Sequence, residues 1–76
     1  MTLNEIIHSI EAEGFQWAVC REKDGQYTAY VTEQHTLYPA DALADGLGCE
    51  GGSTPAVALE VAFYKELGYR EKRRLG

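Results

Sequence analysis

The sequence is short of several things, and each shortage removes a class of protein. It holds only two cysteines, Cys20 and Cys49. That is too few for the disulfide framework of a small secreted domain, and they lack the Cys-x-x-Cys spacing of a zinc or redox site. A reducing compartment is expected, with Cys20 serving as a small apolar residue and Cys49 as a loop thiol. No apolar run approaches the ~18–20 residues of a membrane span. The first apolar stretch, Leu3 to Ile10, is broken by Asn4, Glu5 and His8 and lacks the basic lead-in of a signal peptide. A cytoplasmic location without a membrane partner is therefore expected.

Basic residues are also scarce, and unevenly placed. Residues 1–69 carry three basic and eleven acidic side chains, a net −8. Arg70, Lys72, Arg73 and Arg74 against Glu71 give residues 70–76 a net +3, and the two parts sum to the −5 of the whole chain. An acidic body repels nucleic-acid phosphates and favours basic partners. Direct nucleic-acid binding is not expected, and residues 70–76 are read as a solvated basic tail.

What is present suffices for one core. Of the 76 residues, 45% are hydrophobic, with Trp17, five tyrosines and two phenylalanines. This length allows a single domain, placed at residues 1–69 ahead of the tail. The pattern of periodicities makes it α+β.

Thr2-Leu3-Asn4-Glu5 forms a capping box, in which the Thr2 hydroxyl and the Glu5 carboxylate each satisfy the other residue's amide. Leu3, Ile6, Ile7 and Ile10 follow on one face at helical spacing. Gly14 supplies a left-handed C-cap, with Phe15 placed for the apolar contact of a Schellman motif. A helix over residues 3–13 is predicted. Strands are predicted at 15–22 and 26–33 around Asp24-Gly25. A two-residue turn would mix both sheet faces. A three-residue Lys23-Asp24-Gly25 loop with Gly25 left-handed sets Glu22 opposite Gln26. Phe15, Trp17 and Val19 then share a face with Tyr27, Ala29 and Val31, while Gln16, Ala18, Cys20, Thr28, Tyr30 and Thr32 take the other; this cleaner separation favours the second register.

Residues 34–53 are read as an irregular middle. It has room for a short third strand at 35–38 and a short helix at 40–45 ended by Gly46, and Leu47 to Gly52 are read as loop. Thr54-Pro55 begins a second helix, predicted over 55–67 and stopped by Gly68. Ala56, Leu59, Phe63 and Leu67 form one apolar stripe on it, and Val57, Val61 and Tyr64 a second. Ala58, Ala62, Lys65 and Glu66 are left for solvent. An arc this wide exceeds what one sheet face covers, so the helix is either buried on two sides or offers a partner surface.

No constellation carries enzymatic chemistry. His35, Asp41, Asp45 and Glu50 match no metal-ligand spacing and are read as surface groups. Neither cysteine sits in a nucleophile signature with His8 or His35. Gly51-Gly52-Ser53-Thr54 precedes a helix as anion-binding loops do, yet it has no nearby lysine and carries Glu50 beside it. No cofactor is expected. A protein-binding role is: Tyr38, Asp41, Asp45, Glu50, Glu60 and Tyr64 are the candidate contacts, their tyrosines and carboxylates suiting a protein partner with a basic surface. The same helix stripe, or the hairpin edge, offers the alternative of a homodimer.

The segments Glu13-Gly14-Phe15-Gln16-Trp17, Asp24-Gly25-Gln26-Tyr27-Thr28-Ala29 and Ser53-Thr54-Pro55-Ala56-Val57-Ala58-Leu59 occur in that order between Ile6 and Leu67. This stretch resembles the phage ABA (α/β/α) sandwich proteins, a family with no established catalytic residues to carry over. Gly25 to Val31, then Gly48-Cys49-Glu50-Gly51-Gly52-Ser53, then the alanine-rich helix, is similar to the strand, Gly-Cys turn and helix of HicB-like antitoxins. Both resemblances imply a small protein of phage or another mobile element that acts by binding other proteins. Phage proteins of this size and acidity often block a host defence complex, for example as anti-CRISPR inhibitors, an association that rests on size and charge.

Overall fold

The computed structural model describes residues 1–33 and 50–76. The elements are α1 (Leu3–Ala12), β1 (Gln16–Arg21), β2 (Tyr27–Thr32), β3 (Glu50–Gly52) and α2 (Pro55–Leu75), an α+β arrangement of two helices on a three-stranded antiparallel sheet of order β1-β2-β3. The expected strand at 35–38 and helix at 40–45 lie outside the described residues.

The first half forms as its local signals dictate. The Glu5 amide donates to Thr2 Oγ1 at 3.2 Å and the Thr2 amide to Glu5 Oε1 at 3.1 Å. That capping box holds the Glu5 carboxyl below its ordinary pKa, chiefly through the bond from the Thr2 backbone. Ile6 and Ile10 are fully buried, while Leu3 lies at the rim, 37% exposed. At the far end the Gly14 amide bonds the Glu11 carbonyl and the Phe15 amide bonds the Ile10 carbonyl, with Gly14 at φ 76°. This is the expected Schellman closure, and it aims Phe15 into the core.

The hairpin takes the three-residue loop. The Glu22 amide donates to the Gln26 carbonyl at 2.7 Å, Gly25 has φ 85°, and the Gln26 amide bonds Asp24 Oδ1 at 2.9 Å. Val19 faces Ala29 and Trp17 faces Val31, as expected. Phe15, Ala29 and Val31 join the core, with Trp17, Val19 and Tyr27 packed against it.

Three expectations for the second half are corrected. Residues 50–52, read as loop, form the third strand, pairing Ala29 with Glu50, Thr28 with Gly51 and Tyr27 with Gly52. The β2 ladder overrides the poor strand propensity of glycine. Second, α2 does not stop at Gly68 but runs to Leu75, so the expected tail is helical. A mid-helix glycine costs about 1 kcal/mol, and the ion pairs of Arg70 and Arg73 described below offset it. Space around Gly68 is open, with no atom near an added Cβ. A Gly68→Ala substitution should therefore stabilise the fold by roughly 0.5–1 kcal/mol, read as a higher midpoint in urea titration with unchanged slope.

Third, α2 is rotated from its expected orientation. Ala58, Ala62 and Glu66, assigned to solvent, are buried beside Leu59 and Phe63, whereas Val57, Val61 and Tyr64 remain exposed. The reason is proximity. A Cβ built on Gly52 would lie 2.6 Å from the Ala58 amide nitrogen, so helix and strand backbones nearly touch. Only small side chains fit that contact, and alanine wins it over the more hydrophobic valine. Phe15 and Phe63 meet edge to face, centroids 5.9 Å apart, beneath the helix.

Candidate functional site

The candidate contacts divide by position. Tyr38, Asp41 and Asp45, like His35 and Cys49, lie outside the described residues. Glu60 and Tyr64 fall one turn apart on the outer face of α2, among Val57 and Val61. Tyr64 is 52% exposed and the two valines 43% each. The Tyr64 ring leans on Phe63 with centroids 5.6 Å apart, so the exposed tyrosine rests on the core. Glu50 projects from β3 to an ion pair with Lys65, which follows Tyr64 on the helix. That bond holds the Lys65 ammonium above its usual pKa. The structure thus joins Glu60 and Tyr64 in one surface and ties Glu50 to its flank. Glu60 makes no ion pair among the described residues, so its charge is available.

A second cluster involves residues 70–76, whose composition alone suggests a solvated tail. Arg70 donates from Nε to Glu33 Oε2 at 2.9 Å, and from Nη1 and Nη2 to the side chain and carbonyl of Glu13, each at 2.8 Å. Its guanidinium also lies 4.2 Å over the centre of the Phe15 ring. Arg73 bonds Glu33 Oε1 from Nε at 3.0 Å and Glu66 Oε1 from Nη2 at 2.8 Å. The Glu33 amide completes the network by donating to Glu66 at 3.3 Å. Hydrogen bonds from Arg73, then Arg70, hold the Glu33 carboxyl below the ordinary carboxylate range, against an opposing effect of partial burial. Helical spacing of Glu66, Arg70 and Arg73 was the available signal, hidden by the glycine between them.

This network changes the charge map. Two of the four basic residues beyond position 69 are engaged in ion pairs, and Lys72 and Arg74 make none among the described residues. A depression of about 210 Å³ lies between α2 and β2, lined by Tyr30, Thr32, Glu50, Lys65, Glu66 and Arg73 among others. Its carboxylates and cations are paired with one another, and no described cysteine or histidine lines it.

Burial, followed by the bond to Glu22, pushes the Cys20 thiol above its usual pKa, so it stays protonated and weakly nucleophilic at neutral pH. No group of three His, Cys, Asp or Glu among the described residues is placed to hold a metal ion. No helix there is long and apolar enough to cross a membrane. No known protein family, curated protein or solved structure matches the chain.

Proposed function

We propose that the chain is a non-enzymatic binding module of a phage or other mobile element, and that it occupies a basic surface on a host protein, in the manner of inhibitors of host defence complexes. One observation carries the reading: Val57, Val61 and Tyr64 form an exposed apolar stripe on α2, beside the carboxylate of Glu60, which has no ion pair among the described residues. A contiguous exposed apolar stripe that ends in an aromatic is a common feature of a protein contact. The carboxylate supplies selectivity for cations on the partner.

A photo-crosslinking amino acid placed at Val61 tests this in host cells. One discrete adduct is expected, identified by mass spectrometry as a protein with a basic surface. It should disappear when Glu60→Lys and Tyr64→Ala are added, and be absent when the crosslinker is moved to Lys23. No adduct at Val61, or one indifferent to both substitutions, overturns the reading.

A further inference from the structure

The strand β1 is an open edge among the described residues. The bond from the Glu22 amide to the Gln26 carbonyl makes Glu22 and Gln26 a hydrogen-bonded pair. In an antiparallel ladder such pairs alternate with non-hydrogen-bonded ones. Along the observed register, Cys20, Ala18 and Gln16 therefore point their backbone groups at β2. The amides and carbonyls of Trp17, Val19 and Arg21 point the other way, off the sheet. Natural edges are blunted by proline, by central charges, by bulges or by a covering element. Gln16-Trp17-Ala18-Val19-Cys20-Arg21 has no proline, no bulge against β2, and a charge only at its end.

From this geometry we infer that β1 pairs antiparallel with β1 of a second copy of the chain, joining two three-stranded sheets into one. The register is centred on Val19 facing Val19 of the second copy. That register alone engages all three outward residues, giving about six hydrogen bonds, two for each of three pairs. A shift by two residues either way engages two pairs, and the Phe15 amide cannot add another because it already bonds the Ile10 carbonyl.

The side chains agree with this register. Arg21 makes no ion pair among the described residues and faces Trp17 of the second copy, whose ring offers a cation–π surface. The Trp17 Nε1 donates to Glu11 Oε2 at 3.5 Å, so a carboxylate stands beside the ring that Arg21 meets. Gln16 faces Glu22, Ala18 faces Cys20, and no two like charges are opposed. The stripe on α2 takes no part, so this pairing is independent of the proposed partner contact.

Sedimentation velocity on the intact chain, from micromolar to about 0.5 mM, tests the pairing. The expected result is a reversible monomer–dimer equilibrium. Arg21→Glu should weaken it about tenfold or more, because Glu11 and the new carboxylate then repel. Val19→Pro should leave monomer only. Its lost N–H points off the sheet, so no β1–β2 bond is removed, and an unchanged far-UV circular dichroism spectrum verifies folding. In a Cys49→Ala background, Ala18→Cys should cross-link to Cys20 of the second copy on oxidation. Tyr64→Ala should leave the equilibrium unchanged. Monomer throughout, or a dimer indifferent to both Arg21→Glu and Val19→Pro, overturns the inference.

Discussion

Gly52→Ala is expected to lower stability by about 3 kcal/mol, the upper part of the range for overpacked sites. The added methyl would sit 2.6 Å from the amide nitrogen of Ala58 and 3.0 Å from its Cα, and both are helix backbone. A side-chain rotation cannot relieve such a contact. Relief requires lifting α2 from β3, which opens the packing of Ala58 and Leu59, both fully buried. Gly51→Ala is the matched control. Its Cβ meets only the Tyr27 carbonyl oxygen at 3.8 Å, an ordinary contact. Urea unfolding of the two variants should separate them clearly, with Gly51→Ala close to the parent. A domain of this length has roughly 4–11 kcal/mol in total, so the Gly52 variant should be partly unfolded at modest urea concentrations.

Removing residues 70–76 should also destabilise the chain, read as a lower thermal midpoint. Were those residues a solvated tail, their loss would cost almost nothing. In the structure their loss strands Glu66, whose side chain is only 9% exposed, without Arg73. A carboxylate stripped of its partner at a buried position is costly, and the loss here is moderated because Arg73 itself is 38% exposed and screened by solvent. The truncation also leaves the Phe15 ring without the guanidinium above it.

An acid titration gives the deletion a second signature. The folded chain holds the Glu33 carboxyl below its unfolded pKa. Its contribution to stability is therefore fully present above the unfolded value, near 4.3, and is lost as pH falls through the folded one. The intact chain should lose stability across that acidic window. The truncated chain, lacking both arginines, should show a shallower loss from this group. Equal thermal midpoints and equal acid profiles for the two would contradict the network.

The residues that made the fold legible are those whose partners are close in sequence. Thr2 and Glu5, Gly14 and Phe15, Glu22 and Gln26 each complete a contact within a few positions. Their identities alone therefore placed α1, its cap and the hairpin register. What escaped was set by contacts across the chain. Gly51 and Gly52 look like loop residues until β2 is beside them. Ala58 and Ala62 look like solvent positions until the close approach of β3 selects small side chains. Gly68 looks like a stop until Glu13 and Glu33 claim Arg70 beyond it. The candidate contact surface was half legible for the same reason. The excess apolar arc of α2 was visible in its spacing, but which stripe stayed outside depended on that approach to Gly52.

The bonds of Arg70 and Arg73 to Glu13 and Glu33 join residues 37 to 57 positions apart. During synthesis α1 and the hairpin therefore emerge well before the helix that covers them. At about 5–20 residues per second, making the ~40 residues between Glu33 and Arg73 takes on the order of 2–8 s. For that interval Phe15, Ala29 and Val31 have no roof, and the nascent chain is open to chaperones or to a neighbouring nascent strand.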